Sequence, residues 1–312
     1  MHSRKRQEAE RWVEHSVTPE EAGRTVQQLL TGTLGLSRRL LQKLSRSKGF
    51  RLNDRATFLA RTVKAGDRVA ARVAAAEETG LTAVPMPLDI LHEDEEILVV
   101  NKPPALLVHP TSARQARTLA HGIAHHFQQQ GVHAKVRPVH RIDRDTSGLV
   151  LFAKSAVAHQ RLDRQLRERA LRREYLALVD GVIERQSGVI EANIGRHSAR
   201  PNLRAVRPTG GEHALTRFQV VERFPAATLL QVELETGRTH QIRVHLMHIG
   251  HPVLGDREYG GAGMTLMPRQ ALHAWRLSFS HPRGGDGLRF EAPLPADIAA
   301  ALDQLRRAEP GR

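Results

Sequence analysis

The sequence predicts an α+β fold divided into two unequal units, and three observations predict it. From about residue 88 onward, short runs alternate apolar and polar residues with period two, and segments with helical spacing interrupt them. A compact, strongly basic stretch precedes that region. Between the two, residues 77–87 contain two glutamates, Gly80, Pro85 and Pro87 and read as a linker.

Taken in order, residues 1–22 are charged and read as an amino-terminal extension without a stable fold of its own. A small unit over 23–76 follows. Val26, Leu29 and Leu30, then Leu40, Leu41 and Leu44, recur at helical spacing, and Ser37 is placed to cap the second helix. Residues 50–54 read as a short strand and turn, 64–67 as another turn, and 68–73 as a second strand. In the large unit, 88–312, Leu149 to Ala153 have the composition of a core strand. Residues 228–235 and 272–279 alternate as strands, while 155–169, 241–249 and 296–307 are spaced as helices. A chain of 312 residues is long enough to bury a sizeable core in such a unit.

Charge is unevenly distributed. The chain has 47 Lys and Arg against 33 Asp and Glu, a formal balance of +14 that suits a polyanionic partner. Between Leu36 and Arg72 stand eleven basic residues, Arg38, Arg39, Lys43, Arg46, Lys48 and Arg51 among them, against only Asp54 and Asp67. Cysteine is absent, which excludes disulfides, thiolate metal sites and a cysteine nucleophile. The first fifteen residues hold no apolar run that could act as a secretory signal, and no stretch approaches membrane-spanning length, so a cytoplasmic protein is expected.

The segment most suggestive of chemistry is His140-Arg141-Ile142-Asp143-Arg144-Asp145-Thr146-Ser147-Gly148, which leads into the apolar run at Leu149. Gly148 and the small polar residues before it permit a tight bend. A carboxylate held at the mouth of a core strand is partly desolvated, and an arginine that cannot lose its proton would keep it ionised. Turn caps and solvated ion pairs are the alternative reading of the same residues.

The segment resembles the HR(I/L)DxxTSG signature of the RluA-type pseudouridine synthases, which convert uridine in RNA to its carbon-linked isomer. Further blocks match in order: Ile97 to Pro103 with its Asn101-Lys102-Pro103, Arg173-Glu174-Tyr175, Gly237-Arg238-Thr239-His240-Gln241-Ile242-Arg243, Gly250 to Asp256, and Leu272-His273-Ala274. The resemblance spans about residues 88–296. It implies a mixed, mainly antiparallel sheet and assigns Asp143 as the carboxylate set against the sugar–base junction. Arg243 becomes the cation that holds it, and Tyr175 the ring that stacks on uracil. Arg141 matches the arginine proposed to fill the space of a flipped-out nucleotide, with a phosphate contact as the alternative. Lys102, Pro103, His140, Arg238 and His240 are implied as supporting residues.

The basic stretch resembles the small RNA-binding module named after ribosomal protein S-four, with Asp54 where its turn usually has glycine and Thr25-Val26 where Leu-Asp is common. Arg38, Arg39, Lys43, Arg46, Lys48 and Arg51 are then the expected RNA contacts. Isomerisation oxidises nothing and donates no group, so no cofactor and no metal are expected. The partner implied is RNA, most plausibly that of the large ribosomal subunit, with transfer RNA as the alternative and a monomer as the working form. Two readings compete with an isomerase. His240, His245, His248 and His251, with Asp143 and Asp145, could serve a metal-dependent nuclease, although they lack HExxH spacing. The chain could also bind RNA without acting on it.

Overall fold

The computed structural model describes residues 11–308 apart from 37, 75–78, 113–114, 133 and 261–265. The expected cap at Ser37, the first ten residues and the Arg39 side chain lie outside the described residues. The amino-terminal part comprises β1 (Arg11–Ser16), α1 (Val26–Gly32), α2 (Arg38–Ser45), β2 (Phe50–Leu52), β3 (Arg55–Ala56) and β4 (Arg68–Ala74). Its sheet runs β1-β4-β2-β3, all antiparallel.

Strand β1 differs from the expected unstructured extension. Trp12 to Ser16 pair with Arg72 to Arg68, and Glu14 and Ser16, two positions apart, are exposed on the solvent side of this edge strand. Val17 then enters the same apolar cluster as Leu29, Leu30, Leu41 and Phe50. Asn53 and Asp54 both adopt positive φ, at 49° and 65°, which turns β2 tightly into β3.

The larger part follows as β5 (Asp89–Glu93), β6 (Ile97–Lys102), α3 (Leu119–Gln129), β7 (Arg137–Pro138), β8 (Ser147–Ala153), α4 (Ala156–Arg167), β9 (Arg172–Asp180) and β10 (Ser187–Glu191). It continues through β11 (Ile194–Arg196), β12 (Arg204–Val206), β13 (Leu215–Phe224), β14 (Ala227–Leu234), α5 (Gln241–His248), β15 (Leu272–Ser280), β16 (Gly287–Glu291) and α6 (Ala296–Arg307). The main sheet runs β10-β13-β14-β9-β15-β8-β6-β5, with β16 on β15 and β7 on β8. Every pair is antiparallel except β15 with β8. This is the mixed, mainly antiparallel sheet of an α+β fold.

Strand β8 is buried at all seven positions, because apolar clusters cover both faces of the sheet there. Each large aliphatic side chain so covered contributes about 1.5–3 kcal/mol. Helix α4 is capped by Ser155, whose Oγ accepts the Ala158 N–H at 3.0 Å. Its Val157 packs into the amino-terminal cluster, joining the two parts. Helix α3, absent from the elements that periodicity predicts, buries Leu119, Ile123 and Phe127.

Candidate active site

The parallel pair of β8 and β15 places the site. His273 and Ala274 lie beside Ser147 and Gly148, so the loop before β8 emerges where the sheet is most deeply covered. Gly148 serves a close approach as well as a bend. Its φ is 109°, and a Cβ there would sit 2.2 Å from the Ala274 carbonyl oxygen.

That loop is held by its carbonyls. The Asp143 carbonyl accepts the Thr146 N–H at 3.2 Å, and that of Arg144 accepts Lys102 Nζ at 2.9 Å and the Leu106 N–H at 3.1 Å. The Asp145 carbonyl accepts Arg269 Nη1 at 2.9 Å. Lys102 is fully buried and also donates to the Pro103 carbonyl, at 2.7 Å. Burial pushes its ammonium down to about 7, although the nearby Asp145 charge favours the proton. Gln270 Nε2 donates to Thr146 Oγ1 at 3.0 Å and completes the frame.

Arg243 reaches the loop from the third position of α5, in its first turn. Its Nη1 donates to Asp143 Oδ2 at 3.1 Å across a hundred residues of sequence. The same guanidinium grips Asp256 with two bonds, Nε to Oδ2 at 2.6 Å and Nη2 to Oδ1 at 2.8 Å, and Nη2 also meets Glu258 at 2.6 Å. The Arg243 side chain is 4% exposed and that of Asp256 is 0% exposed, so the pair is a desolvated fork rather than a surface contact. Burial opposes the arginine's charge, but its hydrogen bonds to Asp256 and the charges of Asp143 and Asp256 outweigh it and raise the guanidinium well above its ordinary value. Asp143 keeps 25% of its side chain exposed, and its other oxygen has no protein hydrogen bond among the described residues. A carboxylate oriented through one oxygen and open at the other can act on something that enters.

A cavity of about 990 Å³ provides the entrance, lined by Asp143, Arg243, Arg141 and His240 among others. Arg141 Nη2 rests on Thr239 Oγ1 at 2.9 Å. His240 opens α5 with a left-handed φ of 57° and meets the Tyr259 hydroxyl through Nδ1 at 2.8 Å.

Not every expected residue gathers here. Tyr175 is 4% exposed within the main core, near enough that Arg173 and Asp143 both act on its phenol, which burial raises above its ordinary value; it is not part of the cavity lining. His140 is buried, and its Nε2 accepts the Leu151 N–H at 3.2 Å. Arg238 turns to the His213 carbonyl and Glu212. Arg38, Lys43, Arg46 and Lys48 are exposed on the amino-terminal part, and Arg51 stacks 4.0 Å from the Trp12 ring; none lines the cavity. The candidate metal histidines disperse, His245 to Thr216 and the Ala192 carbonyl, His251 to the Asp180 carbonyl. Among the described residues no three His, Asp or Glu side chains gather as a ligand set.

Residues 96–248 match the model of the RNA pseudouridylate synthase family. An uncharacterized RNA pseudouridine synthase of Bacillus subtilis, YlyB, is 45% identical over 249 residues, covering 78% of this chain and 82% of that protein. The chain belongs to the RNA pseudouridylate synthase family. As a pseudouridine synthase it is an enzyme that isomerises uridine in RNA. The ribosomal large subunit pseudouridine synthase D of Nitrosomonas europaea is 40% identical over 312 residues, covering 96% of this chain and 90% of its own. Among solved structures, human RNA pseudouridylate synthase domain containing 1 superposes with a TM-score of 0.57 at 27% identity, covering 71% of this chain and 94% of that one.

Several residues at the synthase's cavity or directly behind it carry no local signal of a role in the sequence. Asp256 sat in a recognised block, yet its partner is thirteen residues away and only folding aligns the two. Arg269 joins the loop to Asp297 on α6, at 2.6 and 2.8 Å, with no local pattern to announce it. Tyr259 offered one signal: it is the second of only two tyrosines in the chain.

Proposed function

We propose that this enzyme isomerises specific uridines of structured ribosomal RNA of the large subunit, with Asp143 as the catalytic carboxylate. The observation that carries the reading is the Asp143–Arg243 pair at 3.1 Å on the wall of an open cavity. The bond from ribose C1′ to the uracil nitrogen N1 breaks, the detached base turns within the cavity, and C1′ rejoins through C5. The hydrogen on C5 leaves and N1 gains one, so atoms and electrons balance without an oxidant or donor. Asp143, oriented by Arg243, presents its open oxygen to the sugar–base junction and stabilises the cleaved state. A stacked uridine cannot reach that oxygen, so the nucleotide must be flipped out or caught unpaired, with Arg141 available to occupy the vacated space. Tyr175, buried behind the cavity wall within electrostatic reach of Asp143, takes the uracil-stacking role that the family resemblance implies.

The target follows from similarity to large-subunit synthases and from the basic amino-terminal part, which we read as an S-four-type RNA-binding module working in the cytoplasm. Exposed Arg38, Lys43 and Arg46 there suit phosphates. Carbodiimide mapping of pseudouridine in cells lacking the protein, complemented with wild type or Asp143→Asn, tests the whole reading. Large-subunit sites should vanish, return with wild type, and stay absent with Asp143→Asn, whose turnover falls roughly 10³-fold or more while RNA affinity stays within a few-fold. Sites lost only from transfer RNA would move the target, and full rescue by Asp143→Asn would remove the catalyst.

A further inference from the structure

One wall of the cavity belongs neither to the loop of Asp143 nor to the main sheet. It is the β11–β12 hairpin, a separate two-stranded sheet that presents Arg196, Pro201, Asn202 and Arg204 to the cavity. Over residues 194–207 the hairpin carries four arginines, Arg196, Arg200, Arg204 and Arg207, and no acid. Arg196, Arg200 and Arg207 are exposed. An arm with that composition beside a site that admits RNA is suited to backbone phosphates, which arginine engages through its planar fork.

Such an arm must be held at a fixed distance from Asp143 to be useful, and the main sheet holds it only at its base, where Ile194 and Glu212 exchange two backbone bonds of 2.9 Å beyond the end of the β10–β13 ladder. A small apolar cluster of Ile194, Leu203, Ala214, Val244 and Tyr259 seats the hairpin on α5. From β12 toward the start of α5, the directional link is one phenol. The Tyr259 hydroxyl accepts the Arg204 N–H at 2.9 Å and meets His240 Nδ1 at 2.8 Å, while its ring lies 4.7 Å from the Arg243 guanidinium. With one lone pair taken by Arg204, the phenol proton is directed to His240, whose burial keeps the imidazole neutral and able to accept it. His240 is also the residue with left-handed backbone at the start of α5, a conformation that persists only when its surroundings hold it. One hydroxyl therefore stands between the arginine arm and the turn that delivers Arg243.

We propose that the β11–β12 hairpin is a clasp for the RNA backbone and that Tyr259 is the positioning residue that sets its distance from the reacting uridine. The proposal rests on the reading of the cavity as the isomerising site. Tyr259 touches neither base nor sugar in this scheme; it acts through Arg204 and His240. Removing its hydroxyl loosens β12 and the tip of the arm while the base stays paired at Ile194 and phenylalanine keeps the ring beneath Arg243, so capture of RNA should suffer and the chemical step should not.

Tritium release tests this, because forming the C5–C1′ bond expels the C5 hydrogen to water. The substrate is total RNA labelled with 5-tritiated uridine in cells lacking the protein, which contains the target whichever RNA it is. With full-length enzyme, Tyr259→Phe should raise KM about tenfold and leave kcat within about twofold, and Arg196→Ala should shift KM in the same direction. The double variant should be little worse than the weaker-binding single, because both act through one arm. A fall in kcat with KM unmoved would show that Tyr259 serves Arg243 instead, and multiplicative effects in the double variant would show two independent contacts; either result overturns the clasp. If Tyr259→Phe does not fold, Arg196→Ala, an exposed position, decides alone, and an unchanged KM overturns the clasp. No release by wild type would remove the reading of the cavity itself, whereas release by wild type with an unmoved Tyr259→Phe removes the clasp alone.

Discussion

At the scale of single residues, Arg243 has two tasks that can be separated. It orients Asp143 on the cavity wall, and it neutralises Asp256, whose side chain has no exposure. Removing a buried cation strands the opposite charge, so Arg243→Met should lower stability by about 3–5 kcal/mol. Most of that loss comes from Asp256 rather than from the missing arginine. Adding Asp256→Asn to Arg243→Met should therefore recover most of the stability, since the amide still accepts the Glu258 and Tyr259 N–H groups that Asp256 Oδ1 now holds. Isomerisation should stay lost in both variants, because Asp143 has no cation in either. Urea unfolding beside tritium release makes the comparison, and an unrecovered midpoint in the double variant would show that the fork is not what the fold depends on. The sequence made Asp143 and Arg243 legible because their blocks are contiguous and chemically unusual. Asp256, Arg269 and Tyr259 were not assigned roles because each works through a partner that only the folded chain brings near.

At the scale of elements, the parallel step from β15 to β8 positions the loop, and Gly148 makes that step possible. Alanine there meets two costs together, a φ of 109° that L-residues avoid and a Cβ 2.2 Å from the Ala274 oxygen. Gly148→Ala should destabilise the protein by about 3 kcal/mol and reduce turnover further than that loss alone, since the loop bearing Asp143 starts one turn earlier. Thermal melts with activity measured well below the midpoint check this; a variant as stable and active as wild type would refute the close approach. Strands β14 and β15 and helices α4, α5 and α6 were legible from periodicity, with ends within two residues. Strand β1 was not, because six residues that directly follow a charged run look like part of the same solvated tail. Helix α3 escaped for another reason. Its first six residues, Leu119, Ala120, His121, Gly122, Ile123 and Ala124, are all buried, and a histidine and a glycine inside that run hide it from a reading of apolar spacing.

At the scale of the whole molecule, the buried polar groups that frame the site make stability depend on pH. His140 and His273 flank the loop of Asp143, one beside β8 and the other on β15, and both are enclosed. Burial, with the charge of Arg173, pushes His140 down to about 3 from an ordinary 6.5. Burial likewise pushes His273 to about 4, and its Nδ1 lies 3.0 Å from Ser147 Oγ. In the unfolded chain both take up protons as pH falls through about 6.5, whereas in the folded chain both stay neutral until about 4 or below. The unfolded state therefore binds more protons across that window, and stability declines as pH falls. Between pH 7 and pH 5 each histidine should cost about 2 kcal/mol by this linkage. His140→Gln retains an acceptor for the Leu151 N–H but does not titrate, so it should be less sensitive to acid by about that amount whatever its stability at pH 7. Urea unfolding of both proteins at the two pH values measures the difference directly. Parallel loss in wild type and His140→Gln would mean that His140 is protonated in the folded state and that the interior behind β8 is wetter than its burial implies.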